Sequence, residues 1–536
     1  MGAKVSVILR RCFWIVFVLL IGDVLYTAFY DIYLGYTDNY PEGFTWGEYT
    51  ADQSSLILAV VIPVLVFIVL LIQTYFAKYF EIKTEAGKRI IPVILMIISF
   101  AIRLLVIWAL GLHTYYNSDV REAVELANGS FPFDFDKFSS VSSWAVWPVY
   151  LRVVRKIFGS VIIPGLILNA VYISLSVGLM YWIVLKKSKS MRWAVISAEL
   201  YIIWPMNFLF AMSLRPENVN IFLLILSLAF IVLCQEKYKK CQYKSFFVFL
   251  LLAAVMLGAA GFFKKIDLIE LAAIAILGIL FFLKEISRFK NNFDLKKTLF
   301  VLSTIFLFLF AYKLTVNIGY SVLDKAYVQK VNRNPTAHYI EVGLSPWSDG
   351  SYHGITDETK PIGVYAKYAR KLNYDYELTS DKILQKLIRE VSEEKNLDFD
   401  FFQNKLRICW SNQAYFNFIS AEASEESLIN RKFFRETVYP ISQVWYTILL
   451  IFLLLSSIGN LCRKYDEVSF YSALFIFGFM LLMLICETQP RYKYAVYPYM
   501  AVLAGKGMME LSFYIRTVSG YLGDNVKRVK MLKKDN

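Results

Sequence analysis

The chain has 536 residues, 57% of them hydrophobic and 19% charged, with a formal net charge of +14. That balance excludes a soluble globular protein and describes a polytopic one built for a bilayer. The positive charge reads as Lys and Arg bias in short loops plus attraction to anionic lipid, and no soluble basic module is present to bind nucleic acid.

Taken in order, the chain begins with Lys4, Arg10 and Arg11 ahead of an apolar run that resembles a signal peptide. The run is long and lacks a small-residue cleavage site, so it predicts a retained first helix. A bilayer crossing needs about 20 apolar residues, and about twelve stretches qualify. They centre on 12–33, 55–77, 90–112, 162–184, 193–212, 218–234, 245–263, 266–283, 298–318, 441–460, 468–486 and 494–513. The spans read as uninterrupted through their centres, and no internal repeat is apparent.

Orientation follows the basic residues. The segment 34–54 carries Asp38, Glu42, Glu48 and Asp52 without Lys or Arg, whereas Lys78 to Arg89 is basic. Alternation then places the clusters at Lys186–Lys189, Lys237–Lys240, Arg288–Lys297, Arg463–Lys464 and Lys527–Lys534 on the cytoplasmic side, with both termini. The opposite face receives 113–161, Ser213–Asn218, Lys264–Lys265, Cys486–Tyr494 and the hydrophilic block 319–440. The expected domains are therefore a membrane unit, 1–318, with an outer loop at 113–161, then an extracytoplasmic domain of mixed α/β character at 319–440. C-terminal spans and a basic tail follow at 441–536. Asp381 to Glu394 predicts an amphipathic helix. Ser118–Ala127 and Ser143–Ile157 predict two more, lying along the membrane surface with Trp144 and Trp147 as interfacial anchors.

The outward turns carry charge that a plain connector would not need. Asp119 and Glu122, three apart, share a helix face, with Arg121 beside them able to pair with an acid or a phosphate. Asp119 has two readings, an N-cap for its own helix or an acid working at the bilayer edge. In Arg215-Pro216-Glu217, Pro216 fits a helix start and Glu217 suits the helix dipole. Lys264 and Lys265 run against the positive-inside tendency, which suggests an anion to be met or snorkelling to headgroups. Gln489-Pro490-Arg491-Tyr492-Lys493 opens the last span with another outward pair of cations. Six cysteines with no CxxC pair, and only three histidines, argue against disulfides and against a Cys- or His-based metal site.

The order and common side of Ser118-Asp119, Arg215-Pro216-Glu217 and Pro490-Arg491-Tyr492 resemble the GT-C membrane glycosyltransferases. The likeness is to the polyprenyl-phosphate-sugar-dependent type, which includes protein O-mannosyltransferases and the aminoarabinose transferase of lipid A, and it covers most of the membrane region. The stretches Val342 to Trp347 and Gly350 to Tyr352 are similar to a pattern in Gram-positive bacterial members. The resemblance implies a multi-pass cell-membrane enzyme, bacterial, with its catalytic face outside. It implies Asp119 as general base and Glu217 as second acid, with Lys264 or Lys265, Arg491 and Arg121 at the donor phosphate. Tyr116, Asn117, Glu122, Arg215 and Tyr492 would contact substrate. The implied partners are a polyprenyl-phosphate-linked sugar donor, a glycan, lipid or protein acceptor, and membrane lipids. No cofactor is obligatory, although a divalent cation could be held by Asp119 and Glu217. Trp347, Tyr352 and Trp410 are sugar-platform candidates, with a place in the block's own small core as the alternative for each. This chain departs from the pattern in having two spans before the one that leads to Asp119. A lipid-linked sugar flippase or transporter, and a wall-polymer polymerase or ligase, stand as alternatives.

Overall fold

A computed structural model describes residues 2–33, 53–76, 84–110, 118–129, 142–288, 295–327, 330–345, 361–394, 397–411, 437–462 and 466–532. Every regular element among them is a helix, as expected where lipid offers the backbone no partner and each span must satisfy its own N–H and C=O groups. In chain order come α1 (Gly2–Tyr33), α2 (Gln53–Phe76), α3 (Glu85–Leu110), α4 (Ser118–Asn128) and α5 (Ser142–Phe158). Then follow α6 (Ile162–Ser188), α7 (Met191–Ile202), α8 (Pro205–Met212), α9 (Glu217–Lys239), α10 (Tyr243–Phe263), α11 (Asp267–Arg288) and α12 (Leu295–Tyr327). The shorter α13 (Thr336–Leu344), α14 (Pro361–Lys371), α15 (Tyr376–Glu394) and α16 (Phe399–Trp410) precede α17 (Tyr439–Cys462) and α18 (Glu467–Ile485). A 3₁₀ turn, Pro490–Val496, leads into α19 (Tyr497–Leu532).

Among the described residues, nine helices are long and apolar enough to cross a membrane, and a tenth is added if the bent pair α7–α8 counts as one. All twelve expected stretches are helical over their described residues, but three are not plain spans. The helices over 266–283 and 494–513 carry Asp267 and Glu270, and Lys506 and Glu510. The expected uninterrupted span 193–212 breaks by 55° between α7 and α8. Pro205 opens α8 without an N–H to give. The carbonyls left behind are met from inside the protein, by Arg103 Nη2 on Ile202 O (3.3 Å) and Asn207 Nδ2 on Tyr201 O (2.7 Å). Trp204 in the break stacks on Tyr497, ring centres 3.9 Å apart.

The bundle core forms where α9 and α10, α10 and α12, α3 and α6, and α17 and α19 pack together. Ion pairs Lys186–Glu236 and Lys187–Glu467, each 2.8 Å, join the basic ends of α6 and α9 to the start of α18. The opposite end carries the turns before α9, before α11 and after α18, covered by α4, α5 and α13. Here α4 and α5 form as expected, each with an apolar face turned to the other. Val120, Ala123, Val124 and Ala127 of α4 pack on Trp147 and Leu151 of α5. Trp147 is buried, stacked on Tyr150. The apolar faces meet protein because each helix supplies the other with a partner. Trp144's side chain lies outside the described residues.

The block 319–440 shows helices only among the described residues, which corrects the α/β expectation. Its boundary also shifts, because α12 runs on to Tyr327. The polar helices α14 and α15 bury Tyr365, Ala369 and Ile383 against Ala337 of α13, so a helical face supplies the small core and no sheet is needed. The block is bonded to the bundle at several points. Lys405 Nζ donates to Gly343 O and Cys486 O, and Lys493 Nζ donates to Cys409 O.

Candidate functional site

Three turns and two short helices build a cavity of about 200 Å³ at one end of the bundle. The turn before α9 is fixed by its carbonyls. Asn169 Nδ2 donates to Ser213 O at 2.7 Å, and Trp147 Nε1 donates to Leu214 O at 2.6 Å. Pro216 then closes the turn and Glu217 begins α9, where the helix dipole favours a carboxylate. One turn later, Asn220 Nδ2 reaches Ala260 O (2.7 Å) and Lys264 O (3.2 Å), holding the end of α10 against α9.

That clamp sets Lys264 beside Glu217. Their Nζ and Oε1 are 2.8 Å apart, and Glu217 is 6% exposed. Lys264 Nζ also lies 4.9 Å from the ring centre of Tyr492, and the Arg491 guanidinium lies 5.3 Å from it. A cation over an aromatic face gains from the ring quadrupole. Tyr492 OH in turn donates to Glu487 Oε2 at 3.0 Å, Gln489 bonds the same carboxylate, and the Glu487 N–H donates to Tyr339 O at 2.8 Å. The third turn is thereby tied to α13. Lys265 stands 5.2 Å from the ring centre of Tyr320.

The polar lining of the cavity comprises Arg215, Lys264, Lys265 and Arg491 with Glu122, Glu217 and Glu487. Leu268, Phe479, Leu482 and Met483 are among its apolar lining. Burial pushes the Lys264 ammonium below its usual range, opposed by Glu217. It pushes the Glu487 carboxyl up, opposed by Arg491. Four cations together with hydrocarbon in one lining suit an anion that carries an apolar chain. Among the described residues, no three His, Cys, Asp or Glu side chains gather as cation ligands, and Glu217 is engaged by Lys264.

Of the residues expected from sequence, Glu122, Arg215, Glu217, Lys264, Lys265, Arg491 and Tyr492 come together here. Asp119 lies in the first turn of α4, one turn before the cavity-lining Glu122 and Ala123; its side chain is outside the described residues, as are Tyr116 and Asn117. Arg121 is not a lining residue and pairs with Glu125 at 2.7 Å, well exposed. Trp410 is buried in the main core, and Trp347 and Tyr352 are outside the described residues. Glu487 and Tyr339 went unnoticed in the sequence. A signal existed for Glu487, an acid three residues before Pro490 in a turn already marked by its cations.

The fold and this end cavity define a polytopic helical membrane protein with a charged recess at one end of its bundle. A family model described as a conserved hypothetical integral membrane protein matches residues 5–389, and the chain belongs to that family. Comparison with curated proteins gives no match.

Proposed function

We propose that the protein is an inverting glycosyltransferase of GT-C type, moving one sugar from a polyprenyl-phosphate donor to an acceptor outside the cytoplasm. The observation that carries this reading is the joining of three separate turns around one cavity, with Arg215, Lys264, Lys265 and Arg491 in its lining. The cavity end is assigned to the extracytoplasmic face because the Lys186, Lys187 and Lys237–Lys240 clusters lie at the other end. Both termini then face the cytoplasm.

In this account Asp119 takes the proton from the acceptor hydroxyl as the oxygen attacks the anomeric carbon, and the donor phosphate leaves with the bonding pair. Lys264 and Arg491 balance the charge that grows on the leaving phosphate. Glu217 holds Lys264 in place, and Glu122 orients the acceptor. A lipid phosphate is already a good leaving group, so the mechanism needs no acid on that side and no covalent intermediate. The acceptor is a cell-wall glycopolymer, a lipid or a protein.

A second reading, a lipid-linked sugar transporter, draws on the α7–α8 break, since transporters interrupt helices at their binding sites. Here, though, the break is closed by Arg103, Asn207 and Trp204 and does not line the cavity. Reconstituted protein given a polyprenyl-phosphate radiolabelled sugar separates the two. A transferase converts the label to acceptor-bound or water-soluble product and releases polyprenyl phosphate. A transporter moves the label across the bilayer with the donor intact.

A further inference from the structure

Deeper in the bundle lies a carboxyl group that the cavity chemistry does not use. Glu270 of α11 is fully buried, and neither of its oxygens has a well-formed hydrogen bond among the described residues. The hydroxyl of Tyr471 on α18 stands within reach of both the Glu270 carboxyl and the hydroxyl of Tyr499 on α19, although none of these contacts is a well-formed hydrogen bond among the described residues. The two tyrosine rings are 5.9 Å apart, centre to centre. Gly478 lets α18 come close, since a Cβ there would stand 2.9 Å from Ile269 Cγ2, and this brings Tyr471 alongside Glu270. The charged group facing Glu270 is another acid, Asp267 on the same helix. Asp267 Oδ2 accepts from Tyr312 OH of α12 at 2.5 Å, and Gly261 of α10 leaves it room.

A carboxylate with no cation beside it and only a phenol for a donor is far costlier in a dry interior than the neutral acid. An ionisable residue at such a position marks a functional site by default. We propose that Glu270, with Tyr471 and Tyr499, forms a proton-binding site inside the bundle, one helical turn from the cavity-lining Ile266. The proton sits on a Glu270 oxygen, and the two phenols supply the donors and acceptors through which it exchanges. This inference is independent of the glycosyl-transfer reading.

Infrared spectra of the purified full-length protein test it. At neutral pH the wild type is expected to show the C=O stretch of a protonated carboxylic acid, shifted in heavy water and lost or reduced in Glu270→Gln. An unchanged band in that variant would overturn the proposal. Should Glu270→Gln fail to fold, wild type treated with dicyclohexylcarbodiimide serves instead. That reagent takes the carboxyl proton on one nitrogen and the oxygen on its central carbon, then rearranges to a stable N-acylurea with nothing lost. Mass spectrometry is expected to find the adduct on the α11 peptide, rising as pH falls and indifferent to sodium. Folded protein with no adduct at Glu270, or an adduct suppressed by sodium, would overturn the proton site, the latter in favour of an alkali-cation site.

Discussion

Lys264 Nζ and Glu217 Oε1, 2.8 Å apart, join the end of α10 to the start of α9 across two turns that the chain separates by 47 residues. Each side chain is mostly buried, and each helps the other to remain charged, with Arg215 and Arg491 also facing Glu217. Lys264→Gln is expected to lower stability by about 3 kcal/mol, because it strands a buried carboxylate. The double variant Glu217→Gln/Lys264→Gln should recover part of that loss. Thermal unfolding in detergent reads both, and purely additive effects would show that the pair is not coupled.

Gly343 provides a second mechanical test. A Cβ at that position would meet Cys486 C at 2.3 Å and Ile485 O at 2.4 Å, both of them backbone. Gly343→Ala must therefore push α13 off α18 and with it the Tyr339 wall of the cavity. Overpacking of this kind costs about 1–3 kcal/mol. A melting midpoint equal to wild type would refute the close approach.

The helices over the cavity should respond to pH through two buried groups on α13. Burial raises the Glu341 carboxyl to about 8 and lowers the His338 imidazole to about 4. Between about 4.5 and about 8 the folded state holds a proton on Glu341 that the unfolded chain releases, so that contribution falls as pH rises. His338 acts in the other sense, and its contribution is lost as pH falls from 6.5 towards 4. Glu341→Gln is expected to remove the alkaline loss and leave the acid one. Unfolding midpoints of wild type and variant from pH 5 to pH 8 check this, and parallel curves would contradict it.

The cations should rank by their place. Under the transfer reading, Lys264→Gln and Arg491→Gln are expected to reduce transfer roughly a hundredfold, the scale of one lost charge-stabilising donor. Lys265→Gln should cost less, because Lys265 leans on Tyr320. Arg121→Gln should leave transfer unchanged, since Arg121 pairs with Glu125 away from the cavity. Initial rates with one donor at saturating acceptor give the order. An Arg121 effect as large as that of Lys264 would place the donor phosphate elsewhere.

Much of this was legible in the sequence, for definite physical reasons. Runs of about 20 apolar residues leave a chain little choice but helix. Charges at the turns carrying Arg215, Lys264 and Arg491 could be seen to share an end because basic loops mark the other one. The break at Trp204-Pro205 could not be read from hydropathy, since both residues fit an apolar run and the carbonyls are capped by distant Arg103 and neighbouring Asn207. The α/β expectation for 319–440 failed because α14 and α15 make their core by pairing with α13, a tertiary event that local composition does not encode. Trp147 looked like a membrane anchor until its ring met Tyr150 and its N–H met Leu214. Glu487 was missed because its contact with Tyr339 joins the turn after α18 to α13, far earlier in the chain, and local composition does not encode that approach.

If this cavity transfers a sugar with Asp119 as base, removing that carboxylate abolishes transfer. Membranes containing wild type or Asp119→Asn, matched for protein level, are given a panel of radiolabelled polyprenyl-phosphate sugars. The account expects transfer from at least one donor by wild type and its near-complete loss in the variant. Equal transfer by both proteins would leave Asp119 as a helix cap, and no transfer from any donor would contradict the assignment as a glycosyltransferase.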